Sequence, residues 1–238
     1  MWMKITLTDV GKRFNRDWIF RHINYEFTNG HSYAIIGPNG SGKSTLLQVI
    51  AGAMAESEGR VGYRIADGGW SMADTEQSTQ EKKPENAVGQ RPSVNNHRSV
   101  PTENFYQHIS IAAPYMELIE EMSLAEFLQF HQIFKPFISG INVQKIIAEI
   151  GLEKSAHKHI RYFSSGMKQR VKLAQAIFSD VPVLLLDEPC TNLDEEGIAL
   201  YHLLVKNYCA DRIVVISSND EQEYGFCEKR ANIMDYKK

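Results

Sequence analysis

The chain has 238 residues, of which 43% are hydrophobic and 23% charged, and its formal net charge is −3. This composition provides enough apolar side chains for a sizeable core, and it excludes a chain that is disordered over its whole length. The slight excess of acidic residues also excludes a general electrostatic attraction to nucleic acid or to anionic lipid.

Three features of the sequence indicate the cellular compartment in which the protein resides. The longest apolar stretches, such as residues 183–186, have the length of strands and fall short of the ~20 residues that a transmembrane helix needs. The first residues lack the basic and apolar regions of a secretory signal. The cysteines show no C-x-x-C spacing, which predicts reduced thiols rather than disulfides or a zinc site. We therefore expect the protein to reside in the cytosol.

The N-terminal part is predicted to be rich in strands. Ile5 and Leu7 alternate with polar residues, and residues 19–27 form a second β-like run. A short apolar run at residues 33–36 predicts a buried strand, which leads into a glycine-rich loop and then a buried helix. This order is strand, loop, helix.

The rest of the chain divides by pattern. Residues 68–104 contain few large apolar side chains and several prolines, which predicts a polar loop insertion outside the core. Residues 114–165 show helical periodicity and predict a small helical lobe. Helices and strands then alternate until a short tail, which implies a mostly parallel sheet with helices on both faces. We predict one α/β domain over 1–238, with a sheet core formed by 1–113 and 166–238.

A phosphate-binding loop is predicted between the strand and the helix near the N-terminus. Residues 37–45 read Gly-Pro-Asn-Gly-Ser-Gly-Lys-Ser-Thr and match the pattern G-x-x-x-x-G-K-[ST]. The glycines let backbone N–H groups face phosphate oxygens, Lys43 adds a charge at the β- and γ-phosphates, and Ser44 offers a hydroxyl to Mg²⁺. A plain glycine-rich turn is the alternative, but the flanking strand and helix disfavour it. The candidate nucleotide-binding residues here are Gly37, Asn39, Gly40, Ser41, Gly42, Lys43, Ser44 and Thr45.

A pair of acidic residues follows a second buried strand. Asp187 and Glu188 come directly after the apolar run 183–186, at the end of the strand where ligands of open α/β sheets bind. Asp187 is therefore a candidate Mg²⁺ ligand, and Glu188 is a candidate for orienting the attacking water or accepting its proton. A helix cap beside a solvated acid is the alternative reading. Lys43 and Glu188 are the leading catalytic candidates, with Mg²⁺ as the cofactor.

Two further segments carry a family resemblance. Residues 163–170 read Phe-Ser-Ser-Gly-Met-Lys-Gln-Arg, and Glu188 is followed by Pro-Cys-Thr-Asn-Leu-Asp. The first segment alone predicts only the start of a helix. After the phosphate loop and the helical lobe, however, both segments resemble the signature motif and the following turn of the ATP-binding cassette (ABC) ATPases. The resemblance covers essentially the whole chain apart from 68–104, and it implies a P-loop NTPase core with antiparallel N-terminal strands.

The resemblance also implies a shared ATP site. In this family two cassettes face head to tail, and each ATP lies between the phosphate loop of one and the signature turn of the other. Ser164, Ser165 and Gly166 would then contact the γ-phosphate bound to the partner chain, again at a helix N-terminus. Asp194 would organise the shared interface, and Phe14 matches the aromatic residue that stacks on adenine. A core aromatic is the alternative for Phe14.

Two positions depart from the family pattern. Pro114 occupies the place of a glutamine that touches Mg²⁺, and Asn219 occupies the place of a histidine that bridges the catalytic glutamate and the γ-phosphate. Proline has no group that can ligate a metal, and the amide of Asn219 can form a hydrogen bond but carries no charge. We keep Asn219 among the catalytic-site candidates and expect slow hydrolysis.

The resemblance implies an ATP-binding and ATP-hydrolysing subunit that powers a membrane transporter. Such a subunit works as a homodimer or heterodimer of cassettes with a separate transmembrane permease subunit, on the inner face of the cell membrane. We expect no direct nucleic-acid partner. Two alternatives remain: a soluble ABC-type clamp that acts on ribosomes or nucleic acid, and an ATP-binding regulatory module with vestigial hydrolysis. The sequence leaves the transported substrate and the direction of transport open.

Overall fold

The computed structural model describes residues 2–66 and 97–237. In chain order the elements are β1 (Trp2–Phe14), β2 (Asp17–Thr28), β3 (His31–Ile36), α1 (Lys43–Ile50), β4 (Glu58–Ala66), β5 (His97–Ser99), β6 (Ile109–Ala112), α2 (Leu124–Phe134), α3 (Val143–Glu149), α4 (Ser165–Ile177), β7 (Val183–Asp187), α5 (Glu195–Tyr208), β8 (Ile213–Ser218), α6 (Glu221–Tyr224) and β9 (Lys229–Asn232). Short 3₁₀ helices connect several of them. No helix in these ranges is long and apolar enough to span a bilayer.

The strands form two sheets. The first is antiparallel, with the order β2-β1-β4-β5, and the second is parallel, with the order β6-β7-β8-β3-β9. Helices cover both faces of the parallel sheet, with α1 and the antiparallel sheet on one face and α2 to α5 on the other. This is the predicted α/β architecture of a P-loop NTPase, with antiparallel N-terminal strands beside a mostly parallel sheet.

The parallel sheet separates two hydrophobic cores. In β7 the side chains of Val183 and Leu185 join the core that contains α1 and the antiparallel sheet, whereas Leu184 and Leu186 join the core that contains α2 to α5. All five residues of β7 are buried because both faces of the strand are covered. The unbroken apolar run in the sequence therefore reflects burial on two sides.

The helical lobe packs into the second of these cores. Its first helix begins with a capping box, in which Ser123 and Glu126 each accept a hydrogen bond from the backbone N–H of the other. Leu124 and Ile146 of the lobe are fully buried in the same cluster as Leu184. The lobe and the sheet consequently share apolar packing.

Two boundaries differ from the sequence expectations. The polar loop expected over 68–104 is shorter at its C-terminal end, because residues 97–99 pair with β4 and a 3₁₀ helix begins at Thr102. Phe105 of this helix is buried and stacks on Tyr63, with 3.7 Å between ring centroids. Residues 68–96 of that expected loop lie outside the described residues. The expected short tail contains α6 and β9, and β9 completes one edge of the parallel sheet.

Candidate nucleotide-binding site

Three neighbouring strands carry the predicted site residues to one edge of the parallel sheet. β3 ends just before Gly37, β7 ends at Asp187, and β8 ends just before Asn219. Because β7, β8 and β3 are adjacent and parallel, their carboxyl ends meet at the same edge. Open α/β sheets bind their ligands at this edge. The structure therefore brings together the phosphate loop, the acidic pair and Asn219.

The phosphate loop has a backbone that its glycines make accessible. Gly37, Gly40 and Gly42 have φ angles of 150°, 74° and 99°. A Cβ atom on Gly42 would lie 2.3 Å from Cγ2 of Ile19, so no larger residue fits without movement. Gly42 is the N-cap of α1 and makes no side-chain capping hydrogen bond. The first N–H groups of α1 are thus uncapped, which suits the binding of an anion.

Lys43 lies inside the curve of this loop. Its side chain is 4% exposed, and Nζ donates hydrogen bonds to the carbonyl oxygens of Gly37 and Pro38 at 3.0 and 3.2 Å. Ser44 and Thr45 follow in the first turn of α1 and are half-buried, whereas Asn39 and Gly40 are exposed. Neutral carbonyl partners leave the ammonium charge uncompensated, an arrangement that suits the binding of phosphate.

Asp187 is a buried carboxylate with an unused acceptor. Its side chain is 2% exposed, and Oδ1 has no hydrogen-bond partner in the described part of the chain. A buried acceptor without a partner costs free energy, so an acceptor of this kind at a binding site favours the binding of a donor or a cation. Carboxylate and hydroxyl oxygens are the ligands that Mg²⁺ prefers. Asp187 and Ser44 therefore fit a magnesium site.

Glu188 lies on a turn that a second, unpredicted carboxylate supports. Its φ angle is 44°, in the left-handed region, and its N–H donates to the carbonyl of Ser217 at 2.9 Å. Two residues later the N–H of Cys190 donates to Oε1 of Glu223 at 2.7 Å. Burial raises the pKa of Glu223, and the charges of Asp220 and Glu188 raise it further. No motif in the sequence singles out Glu223, because its contact depends on the packing of α6.

Pro114, which stands at the glutamine position of the family pattern, is followed by a tyrosine at the junction after β6. The carbonyl of Pro114 accepts a hydrogen bond from Nζ of Lys172 at 2.9 Å. Burial raises the pKa of the next residue, Tyr115, and the charge of Asp187 adds to this increase. Ala112 at the end of β6 pairs with Leu186, so Tyr115 follows the strand that lies beside Asp187. No sequence motif singles out Tyr115, because its place near Asp187 depends on the pairing of β6 with β7.

The signature residues form a separate surface. Ser164 is the N-cap of α4 and accepts a hydrogen bond from the N–H of Met167 at 3.2 Å. A surface cavity of about 400 Å³ is lined by Leu152, residues 164–167, Arg170 and residues 192–194. None of the described phosphate-loop residues is among its lining. One chain therefore offers two separate surfaces with helix N-termini, one at α1 and one at α4.

Asp194 links the signature helix to the turn that precedes α5. It is the N-cap of α5, where Oδ1 accepts the N–H of Gly197 at 2.8 Å, and the same atom lies 3.5 Å from Nη2 of Arg170. Gln169 of the signature helix donates to the carbonyl of Pro189 at 2.7 Å. These contacts join α4 to the segment that follows Glu188.

The last two predicted residues are both exposed. The ring of Phe14, at the end of β1, is 46% exposed, so it is not a core aromatic, and Nζ of Lys12 lies 5.3 Å from its centroid. Asn219 follows the fully buried Ser217 and Ser218 and extends beyond the strand. Both side chains are accessible to a ligand.

Comparisons with known proteins agree with this architecture. The family model described as "ABC transporter" matches residues 20–191. The chain is 26% identical to the "uncharacterized ABC transporter ATP-binding protein YybJ" of Bacillus subtilis (strain 168), over 94% of this chain and 89% of YybJ. It is 28% identical to the "cytochrome c biogenesis ATP-binding export protein CcmA" of Agrobacterium fabrum, over 92% of this chain and 90% of CcmA.

A solved structure shows the same fold. The chain superposes on the dimeric bacterial ABC transporter cassette MJ0796 with a TM-score of 0.70 and 20% identity, covering 96% of this chain and 94% of that one. The family model covers most of the residues that form the site, from β2 through the acidic pair. The chain therefore belongs to the ATP-binding proteins of the ABC transporter family.

Proposed function

We propose that the chain binds Mg²⁺ and ATP at the carboxyl ends of β7, β8 and β3 and hydrolyses the ATP to power a membrane transporter. The observation that carries this proposal is the meeting of an uncapped helix N-terminus, the buried ammonium of Lys43 and the unpartnered oxygen of Asp187 at these strand ends. Each of these groups matches one part of a magnesium–nucleotide complex.

Each predicted residue has a role in this proposal. Residues 37–45 bind the phosphates through backbone N–H groups, and Lys43 binds the β- and γ-phosphates. Ser44 and Asp187 hold Mg²⁺, which neutralises charge on the phosphates when it is bound. Phe14 stacks on the adenine, since its ring is exposed at the end of β1.

Glu188 acts on the water. Its left-handed backbone turns the side chain out of the alternation of β7, and its N–H is fixed to β8. A carboxylate held in this way orients the attacking water and accepts its proton. Asn219 follows the neighbouring strand and offers a neutral amide to the γ-phosphate.

We propose that two chains complete the site head to tail. Ser164, Ser165 and Gly166 lie at the exposed start of α4, on a surface distinct from the phosphate loop of the same chain. A second chain brings this positive helix terminus to the γ-phosphate. The partner cassette is a copy of this chain or a related one. Asp194, which lies beside Arg170 on the signature surface, organises the shared interface.

A separate permease subunit receives the resulting movement, on the inner face of the cell membrane. CcmA is named as an export protein, and the "spermidine/putrescine import ATP-binding protein PotA" of Hahella chejuensis, 30% identical over 80% of this chain and 44% of PotA, is named as an import protein. Relatives of both kinds support a transporter subunit without selecting a direction.

A second candidate is an ATP-binding module with vestigial hydrolysis. Pro114 offers no metal ligand, and the exposed Asn219 has no charge. A module of this kind would close on ATP and open only when the nucleotide dissociates.

Replacement of Glu188 by glutamine tests the proposed function. The variant should bind ATP as the natural chain does, but it should form an ATP-dependent dimer that elutes earlier in gel filtration, because neither bound ATP is cleaved. The same run with Lys43→Ala added is the control and should show monomer only. Elution of E188Q as a monomer at saturating ATP would contradict the proposal of a two-chain site.

A further inference from the structure

Four buried side-chain oxygens in the described ranges have no hydrogen-bond partner: Ser41 Oγ, Asp187 Oδ1, Ser217 Oγ and Glu223 Oε2. The first two belong to the nucleotide site, and the fourth lies on α6. The carbonyl of Ser217 holds the N–H of Glu188, but its hydroxyl has no role in the site as described so far, although the side chain is completely buried. Burial removes the hydrogen bonds that a hydroxyl group makes to water, and a hydroxyl that gains no partner in the protein is therefore costly in free energy and rare. The position of Ser217 accounts for this exception.

Ser217 lies between the metal-site carboxylate and the strand that enters the phosphate loop. In the parallel register Ser217 pairs with Asp187 on one side and with Ile35 on the other. Paired residues of neighbouring parallel strands point to the same face, and the strands are about 4.8 Å apart. Ile35 and Val215 both belong to the core that contains α1, so the side chains of Ser217 and Asp187 point toward α1 as well.

The neighbouring serine is different in both respects. Ser218 points to the opposite face of the sheet, because side chains alternate along a strand. Its hydroxyl oxygen already accepts a hydrogen bond from the N–H of Asp220 at 2.9 Å. Ser217 is therefore the hydroxyl of β8 that faces Asp187 and remains without a partner.

We propose that Ser217 is a positioning residue for magnesium binding, acting through Asp187. Its hydroxyl donates a hydrogen bond to the Asp187 carboxylate when Mg²⁺ and nucleotide are bound, and this bond fixes the rotamer that aims the carboxylate at the metal. A hydroxyl donor and a carboxylate acceptor are complementary. The inference rests on the proposed function, since it assumes that Asp187 holds Mg²⁺.

The experiment compares Ser217→Ala with the natural chain. Isothermal titration with a non-hydrolysable ATP analogue is carried out with Mg²⁺ and again with EDTA. We expect about tenfold weaker binding of S217A in Mg²⁺, the usual effect of removing a group that orients a metal ligand, and unchanged binding in EDTA. The melting temperature of nucleotide-free S217A should equal or exceed that of the natural chain, because the lost hydroxyl had no partner. Ser217→Cys, a weak donor of similar size, should weaken the Mg²⁺-dependent binding in the same direction.

Ser110 provides a matched control. It is a buried serine on β6 of the same sheet, and its Oγ donates to the carbonyl of Ala176 at 2.7 Å. Ser110→Ala should lower the melting temperature and leave the Mg²⁺ dependence unchanged. Wild-type Mg²⁺ dependence in S217A would overturn the proposal, as would a loss of melting temperature equal to that of S110A. Absence of any Mg²⁺ effect in the natural chain would instead overturn the proposed function, and the role of Ser217 with it.

Discussion

The surroundings of Lys43 show how the phosphate loop is arranged before a ligand binds. Its ammonium is almost fully buried and its hydrogen bonds go to two backbone carbonyls. A buried charge with only neutral acceptors is poorly compensated, and we therefore expect an anionic ligand at this place to bind strongly. The fold of the loop thus fixes the ammonium group of Lys43 in place without neutralising its charge.

Replacement of Lys43 by alanine should weaken ATP binding by about tenfold to 100-fold, because charge-assisted hydrogen bonds to the phosphates are lost. Isothermal titration measures the affinity. Lys135 is the matched control, since its Nζ also donates to two backbone carbonyls, those of Tyr106 and Ile109. K135A should lower stability but leave ATP affinity unchanged. Unchanged affinity in K43A would refute the assignment of the phosphate loop.

Asn219 is the second residue with a testable role. A histidine at this exposed position can hold the γ-phosphate by a charge-assisted bond, whereas the amide offers an ordinary one, a difference of about 1 kcal/mol. Asn219→His should therefore raise the steady-state rate of phosphate release roughly fivefold, with ATP affinity changing less than the rate. The double variant with Pro114→Gln, which adds a potential magnesium ligand, should be at least as fast. If neither variant hydrolyses ATP faster than the natural chain, position 219 does not limit turnover.

At the scale of elements, the sequence predicts those parts whose structure is determined locally. Residues 183–186 are apolar because β7 is covered on both faces, and the glycines of the loop are required by positive φ angles. β9 could not be predicted from apolar alternation, because its four residues, Lys229–Asn232, are mostly polar and it lies at the edge of the sheet. β5 could not be predicted for a similar reason, since it has only three residues and pairs with one strand.

The site shows the same division between local and tertiary information. Gly37 to Thr45 were predicted because one continuous segment contains the whole pattern. Tyr115, Ser217 and Glu223 were not, because their relevance comes from neighbours that are distant in sequence. Glu223, for example, reaches the N–H of Cys190 only because α6 packs against the turn after β7.

The buried carboxylate on α6 leads to a prediction about pH. Burial raises the pKa of Glu223 above its ordinary value of 4.5, so the native state binds this proton more tightly than the unfolded state does. Its contribution to stability is full below pH 4.5 and is lost as the pH rises toward the native pKa. Glu223→Gln removes the charge and keeps an oxygen for the N–H of Cys190, so this loss should disappear.

Melting temperatures at pH 5 and pH 8 test this expectation. The gain in stability of E223Q over the natural chain should be larger at pH 8 than at pH 5. Glu221→Gln on the same helix is the control, because Glu221 is exposed and only 3.3 Å from Arg230 at the surface. Its difference from the natural chain should vary little with pH. An equal effect of E223Q at both values would show that Glu223 titrates normally.

At the scale of the whole molecule, the two binding surfaces of one chain lead to a mixing experiment. Ser165→Glu places a carboxylate at the start of α4, where it suits the helix dipole but repels a phosphate. Neither S165E nor K43A should form an ATP-dependent dimer alone. Mixed together, they should form heterodimers with one intact site, from the phosphate loop of S165E and the signature surface of K43A.

Gel filtration of labelled chains with ATP measures this complementation. All chains also carry Glu188→Gln, so that the bound nucleotide is not hydrolysed. Two chains that both carry S165E serve as the control and should remain monomeric. A mixture that stays monomeric would mean that the signature surface does not act across chains.

The order of strands in the parallel sheet has a consequence for how the protein is made. β3 is synthesised early, yet both of its neighbours in the sheet, β8 and β9, come from the last part of the described chain. A growing chain on the ribosome therefore leaves both edges of β3 unpaired until residue 218 has emerged, and one edge unpaired until residue 232 has emerged. Pairing over such a long sequence separation is slow, and unpaired apolar strands invite aggregation. Among the strands of the parallel sheet, the one that leads into the phosphate loop thus waits longest for its neighbours, and a slow or interrupted synthesis would expose it to aggregation first.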